Sequence, residues 1–319
     1  MQPLVSILVP IYKSEKYIER CAVGLFEQTY DNIEYVFVDD CSPDRSTEKL
    51  KEIIEKYPKR KERVKIVRHT TNRGSAAARN TLLDNCTGEL CVWVDSDDWV
   101  DTSFVEDGVK ALLQTNADLV VFDYTVHYRN RVRKFKKPDY ANAKDMLRDT
   151  LLWKCTHELW AKIMKMSVIK SNNIRFIEGA NIAEDHYFMA LYLYYSNKVT
   201  SVHKYSYMYN RTNADSYISL PQAANRKQSE INNKAIRDFF SDKGEEYEKL
   251  LNLKDVYEGI NALRSGQIER KDIALLEKNR KYANNFALRH RPLFYLHFPW
   301  LISLYVKVVN FIRERIYKR

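Results

Sequence analysis

With 319 residues, 45% of them hydrophobic, and only 8 Gly and 8 Pro, the chain has the composition of a globular protein with one large core or two modest ones, which excludes a disordered or repeat-built molecule. Its five cysteines (Cys21, Cys41, Cys86, Cys91, Cys155) are odd in number and never form a CxxC pair, which excludes a disulfide framework or zinc knuckle and fits a reducing compartment. More than half of the +10 net charge sits on the tail, where residues 289–319 carry seven Lys or Arg against one Glu beside an apolar helical pattern, and this distribution argues against a nucleic-acid partner.

After Met1-Gln2-Pro3 the chain enters an apolar strand without the basic stretch and long apolar core of a secretory signal, so a cytoplasmic protein is expected. The first 125 residues alternate short apolar runs with helical patterns, the signature of βα units on a mostly parallel sheet. Strands are expected at 5–9, 33–38, 64–68, 89–94 and 118–126, and helices at 15–28, 46–56 and 74–85. Past Lys134 the pattern loosens, with a helix expected at 184–195 and a strand at 199–209, and from Pro221 onward the chain reads as helical.

Ligands of open parallel sheets bind beyond the carboxyl ends of the strands, and four such ends carry suggestive residues. The first gives Pro10-Ile11-Tyr12, the second Asp39-Asp40-Cys41-Ser42, the third runs on to Asn72-Arg73-Gly74, and the fourth is Asp95-Ser96-Asp97-Asp98. Neither GxGxxG nor GxxxxGK occurs, so phosphate recognition must use side chains. Tyr12 could stack on a base, Asp39 accept the N–H of uracil, and Asp95 take ribose hydroxyls; packing for Tyr12 and an Asx turn for Asp39 are the plain alternatives. If the fourth end is extended, Asp95 and Asp97 point the same way and can share one Mg2+ or Mn2+ bridged to a pyrophosphate, although an acidic turn also gives Asp-x-Asp. Arg79, within the third helix, could reach base or phosphate, or serve as an ion-pair partner.

Together the stretches VSILVPIY, EYVFVDDCSPDRS, NRGSAAARN, GELCVWVDSDDW and AEDHYF, spread in order over residues 5–188, resemble glycosyltransferase family 2 on the GT-A fold. The resemblance implies an α/β catalytic domain over 1–220, with a nucleotide-binding half at about 1–125 and an acceptor half at about 126–220, followed by a helical region at 221–319. It implies a nucleotide-diphosphate donor, usually UDP-linked, held by Pro10, Tyr12, Asp39, Arg79, Asp95 and Ser96, with Asp97 of this DXD-type motif on the metal and Asp98 nearby. Asp185 inherits the role of catalytic base in an inverting transfer, next to Glu184, while an acidic pair opening a helix is also favoured by the macrodipole. Trp160-Ala161-Lys162 resembles a segment between the metal motif and the base, and Tyr209-Asn210-Arg211 with Ser216 resembles a loop closing over the diphosphate, where Arg211 suits phosphate. One departure is Lys13, where the family commonly has Asn.

From Trp300 onward Ser303, Lys307, Asn310, Glu314 and Lys318 form one narrow polar stripe on an otherwise apolar pattern. With Arg289, Arg291, Arg313, Arg315 and Arg319 at its flanks, the tail at about 290–319 suits peripheral contact with the inner face of an anionic membrane, or a core helix. A glycan or lipid-linked acceptor in surface-polysaccharide synthesis would explain such a tail. Three other readings stand beside this one: a nucleotide-sugar-binding protein without turnover, a basic nucleic-acid-binding protein, and a nucleotidyltransferase, which would want a glycine-rich basic loop that the first strand end lacks.

Overall fold

The computed structural model describes residues 2–155, 157–213, 222–265, 274–275 and 278–279. Its strands are β1 (Val5–Ile11), β2 (Ile33–Asp39), β3 (Val64–Arg68), β4 (Leu90–Trp93), β5 (Trp99–Val100), β6 (Leu119–Tyr128), β7 (Arg131–Phe135), β8 (Lys162–Lys165) and β9 (Val199–Asn210). The helices are α1 (Ile18–Phe26), α2 (Ser46–Ile54), α3 (Pro58–Lys61), α4 (Ser75–Asn85), α5 (Phe104–Thr115), α6 (Ala143–Leu151), α7 (Met166–Ser171), α8 (Glu184–Tyr195), α9 (Gln222–Phe240) and α10 (Glu245–Ser265). The strands join in the order β3-β2-β1-β4-β8-β6-β9-β5, with β7 hairpinned onto β6.

The first four neighbours in that order are all parallel, as the alternating pattern of the N-terminal 125 residues requires. β1, β2 and β4 are almost wholly buried, so they read as unbroken apolar runs without alternation. Beyond β4 the sheet becomes mixed: β8 runs antiparallel to both β4 and β6, whereas β6 and β9 pair in parallel. Pro10 is tolerated inside β1 because Leu8 C=O, of the same parity, faces β4, and β4 has ended before it could use an N–H at position 10. Ala76, Ala77 and Ala78 are all buried on α4, where small side chains allow a helix to lie close to the sheet.

Several elements escape the sequence reading. β7 is fully exposed and carries Arg131, Arg133 and Lys134, so no apolar alternation marks it. β8 is only four residues long and begins with Lys162, a buried lysine that breaks the apolar run. The fourth strand end differs from expectation in kind: Asp98 N–H bonds back to Asp95 C=O at 3.0 Å, so the acidic string is a turn and the alternation argument does not apply to it.

Two compact units emerge, one formed by Met1–Leu147 with His157–Ile236, the other by Arg148–Thr156 with the chain from Arg237 onward. Within the second, Trp153 donates its indole N–H to Glu258 Oε1 at 3.2 Å and Arg237 pairs with Asp255 at 2.5 Å. Among the described residues no helix is long and apolar enough to cross a membrane. The tail at 290–319 and Ser216 lie outside the described residues.

Candidate active site

A cavity of about 220 Å³ opens at the carboxyl ends of β1, β2 and β4, where open parallel sheets place their ligands. Its walls are residues 10–14 at the end of β1 and just past it, Asp40 after β2, Asn72, Gly74 and Ser75 leading into α4, Ala78 and Arg79 of α4, residues 95–97 after β4, Asn181 and Glu184 at the start of α8, and Asn213 past β9. Of the residues singled out in the sequence, Pro10, Tyr12, Arg79, Asp95, Ser96, Asp97 and Glu184 meet here, whereas Asp39, Asp98, Asp185 and Arg211 do not line it.

The β1 end is fastened from below. Ser14 N–H bonds to Ser46 Oγ at 2.9 Å, and the Ser14 and Ser96 hydroxyls sit 2.5 Å apart, which ties the first strand end to the acidic turn. Lys13 takes a left-handed conformation (φ 52) and donates its N–H to Ser42 Oγ at 2.8 Å. That conformation gives the family's Asn a physical reason, since Asn tolerates it better than Lys. Tyr12, next to it, is 38% exposed, an open aromatic face at the cavity wall.

Asp39 and Asp40 divide their work. Asp39 is buried, with Oδ1 accepting Ser42 N–H at 2.7 Å and Oδ2 accepting Thr47 O–H at 2.7 Å, so it holds the turn after β2. Asp40, which sequence reading passed over beside Asp39, accepts the N–H groups of Arg73 (2.8 Å) and Gly74 (2.7 Å), and its Oδ1 lies 2.7 Å from His69 Nδ1. Gly74 has φ 87, and a Cβ there would fall within 2.6 Å of Asn181 Cγ; only glycine fits. Asn181 Oδ1 in turn accepts Ala76 N–H at 3.0 Å, an orphan donor of the first turn of α4. No local sequence signal marks Asn181, which lies three residues before Glu184.

In the acidic turn, Asp98 is fully buried and accepts Tyr207 O–H at Oδ2 and Asn210 N–H at Oδ1, both at 2.7 Å. It staples the turn to β9, and burial with the Asp97 and Asp95 charges pushes its carboxyl well above the usual range. Asp97 Oδ2 accepts Asn213 Nδ2–H at 2.8 Å, and burial pushes Asp97 up as well. Asp95 is pushed up to about 6, by burial first and then by the Asp97 and Asp185 charges, with Arg79 opposing.

Arg79 is the hub between the acidic turn and α8. Its guanidinium pairs with Glu184 Oε1 and stands 3.6 Å from Asp95 Oδ1, and Ser75 O–H donates to the same Glu184 oxygen at 2.8 Å. Burial and the adjacent Asp185 push the Glu184 carboxyl up to about 7 while Arg79 opposes. Asp185 Oδ1 accepts His186 N–H at 2.7 Å, and His157 Nε2 stands 3.8 Å from the same oxygen. Arg211 follows β9 with its guanidinium 5.9 Å from the Tyr209 ring and its N–H on His127 C=O at 2.8 Å.

The sequence profile of Glycosyl transferase family 2 matches residues 6–197. The chain is 30% identical over 230 residues to the glycosyltransferase EpsJ of Bacillus subtilis (strain 168), a match covering 69% of this chain and 64% of EpsJ; the chain thus spans somewhat under two thirds of that relative's length. It is 28% identical over 207 residues to the poly(ribitol-phosphate) beta-N-acetylglucosaminyltransferase TarS of Staphylococcus aureus (strain Mu50), covering 64% of this chain and 35% of TarS. The crystal structure of S. aureus TarS 1–349 in complex with UDP-GlcNAc superposes with a TM-score of 0.70 at 22% identity over 98% of this chain and 92% of that one, so the two share the GT-A fold. The Pyrobaculum calidifontis mannosyltransferase PcManGT, solved with GDP-Man and Mn2+, is more distant, with a TM-score of 0.51 at 17% identity, covering 100% of this chain and 89% of that one.

Proposed function

The chain belongs to glycosyl transferase family 2, and from that premise we propose that it moves a sugar, with inversion, from a UDP-linked donor to a hydroxyl of a glycan or lipid-linked acceptor in bacterial surface-polysaccharide synthesis. The observation that carries this reading is a single cavity bringing together an exposed Tyr12, the acidic turn, and Arg79 paired to the residue beside Asp185. UDP-GlcNAc in the TarS complex supports the choice of nucleotide.

In this reading the base stacks on Tyr12 against Pro10, and Asp95 and Ser96 take the ribose. Asp39 acts on the nucleotide through the turn it ties after β2. Asp185 receives the acceptor proton as the acceptor oxygen bonds to the anomeric carbon, and the electron pair of the breaking bond leaves with the diphosphate. Attack opposite the leaving group inverts the centre. Glu184 and Arg79 keep the first turn of α8 fixed against the acidic turn. Arg211, which does not line the cavity, would reach the diphosphate only if its side chain left the Tyr209 ring.

A divalent ion with a preference for oxygen, Mn2+ or Mg2+, fits the acidic turn. Burial pushes Asp95 and Asp97 up, and the Asp97 and Asp185 charges add to it at Asp95, so both carboxylates stand where a cation would favour their charged forms. Asp97, with Asp95 beside it in the turn, would hold such an ion. When bound, it supplies charge stabilisation for the departing diphosphate. The tail at 290–319 keeps the enzyme at the inner membrane surface, beside an acceptor of that leaflet.

The test is Asp185→Asn. It should abolish sugar transfer while leaving the thermal shift given by UDP-sugars with Mn2+ within about 2 °C of wild type, since donor contacts are untouched. Transfer at an undiminished rate would remove Asp185 from the mechanism.

A further inference from the structure

Residues 157–162 lie outside the nucleotide cavity, yet they are anchored more firmly than a connecting loop needs. Lys162 is fully buried, with Nζ donating to Glu158 C=O at 2.5 Å and to Glu158 Oε1 at 3.2 Å. The Lys137 ammonium pairs with the same Oε1. Burial would raise the Glu158 carboxyl, but Lys162 and Lys137 overcome it and hold it at about 2, so the turn is pinned by a buried ion cluster at neutral pH. Truncating one member of such a cluster is costly, which makes the turn rigid.

The two ends of this turn reach the two halves of the proposed chemistry. Trp160 stacks on Tyr207, with ring centroids 4.8 Å apart, and Tyr207 holds Asp98 and receives Asp95 N–H at 3.3 Å. At the other end His157 stands 3.8 Å from Asp185 Oδ1, with its ring 5.1 Å from that of His186. The His186 N–H bonds to Oδ1, and His157 Nε2 stands just beyond hydrogen-bond range of the same oxygen.

We propose that His157 is a positioning residue for Asp185: presented by the Glu158 anchor, its imidazole holds Oδ1 so that Oδ2 faces the acceptor hydroxyl. No local pattern in the sequence singles out His157, because the partners that fix it come from three separate segments. The inference rests on Asp185 being the base, and the experiment separates the two ideas.

The full-length chain is assayed by UDP release from UDP-GlcNAc, UDP-glucose and UDP-galactose with Mn2+ and water as acceptor, for wild type, His157→Ala, His157→Gln, Asp185→Asn and the Asp185→Asn/His157→Ala double variant. His157→Ala should lower kcat about 10- to 100-fold with donor KM within about twofold, the scale of a base misplaced by about 1 Å. His157→Gln, which can still donate from the same place, should recover most of that loss even if the alanine variant folds poorly. In the Asp185→Asn background His157→Ala should cost nothing more. An unchanged kcat in His157→Ala, a failure of Gln to recover, or an equal loss in the Asp185→Asn background would overturn the assignment. Wild-type turnover by Asp185→Asn itself, or no turnover of any of the three donors by wild type, would instead strike the proposed function on which the inference stands and take the inference with it.

Discussion

Arg79→Met tests the hub of the site, because it keeps most of the side-chain volume and removes only the charge. The Arg79 and Glu184 side chains are 13% and 10% exposed, so water screens the pair weakly. Removing one partner of such a pair costs about 3–5 kcal/mol when the other stays ionised. Two carboxylates lose their counter-charge here, Glu184 directly and Asp95 at 3.6 Å. Both already have raised pKa values, Asp95 at about 6 from an ordinary 3.8 and Glu184 at about 7 from 4.5, each through burial first, with Arg79 opposing. Without Arg79 both rise further. A carboxyl raised in the folded state contributes stability that is complete below its unfolded pKa and is lost as pH climbs through the folded one. The deficit of Arg79→Met should therefore be about 1 kcal/mol at pH 5, where both groups take up protons, and about 3–5 kcal/mol at pH 8. In a chain of this size that is a Tm loss of about 1–2 °C at pH 5 and about 4–8 °C at pH 8, read by thermal melts across the range. Adding Glu184→Gln should return about half of the pH 8 loss. A deficit that does not change with pH, or a double variant no better than Arg79→Met, would refute this account.

Gly74→Ala should cost about 2–3 kcal/mol, from the left-handed conformation and the displaced Asn181 amide, and Asn181→Ala in the same chain should return part of it in a urea melt. Lys13→Gly relieves a left-handed Lys, and the gain less the entropy of glycine should raise Tm by about 1–3 °C; a lower Tm would mean that the Lys13 side chain holds the loop. Deleting residues 290–319 should move the protein from the membrane pellet to the supernatant on fractionation, and unchanged sedimentation would count against the membrane role of the tail.

The parallel half of the fold was legible because its strands are continuous apolar runs with helices between them, and α8 and β3 fall on the expected residues. The mixed half was not. β8 depends on pairing with β4 and β6, which are distant in the chain, and β7 is a charged hairpin strand whose pattern carries no core face. The site shows the same division. Tyr12, Asp97 and Glu184 stand in motifs and meet in the cavity, but Asn181, Asn213 and His157 are brought in by chain reversals that leave no periodic trace.

Seven acidic residues stand at these strand ends and helix starts, and residue type alone cannot separate those that hold a loop from those that face a ligand. Hydrogen-bond partners can. Asp39, Asp40 and Asp98 each accept at least one backbone N–H; those accepted by Asp39 and Asp40 lie at or beside left-handed positions, Ser42 after Cys41 (φ 55) and Gly74 itself (φ 87), and that accepted by Asp98 ends β9. Such conformations cost about 1–2 kcal/mol at a non-glycine residue and persist only where surrounding bonds fix them. These carboxylates thus use their lone pairs to shape the rim of the cavity. Asp95 and Asp97 take no such backbone donor from another strand end at their carboxylates; their company is Arg79 and the Asn213 amide, and burial raises both. In the proposed reading Asp95 and Asp97 are therefore the pair that a cation or a sugar hydroxyl would satisfy, while Asp39, Asp40 and Asp98 hold the loops.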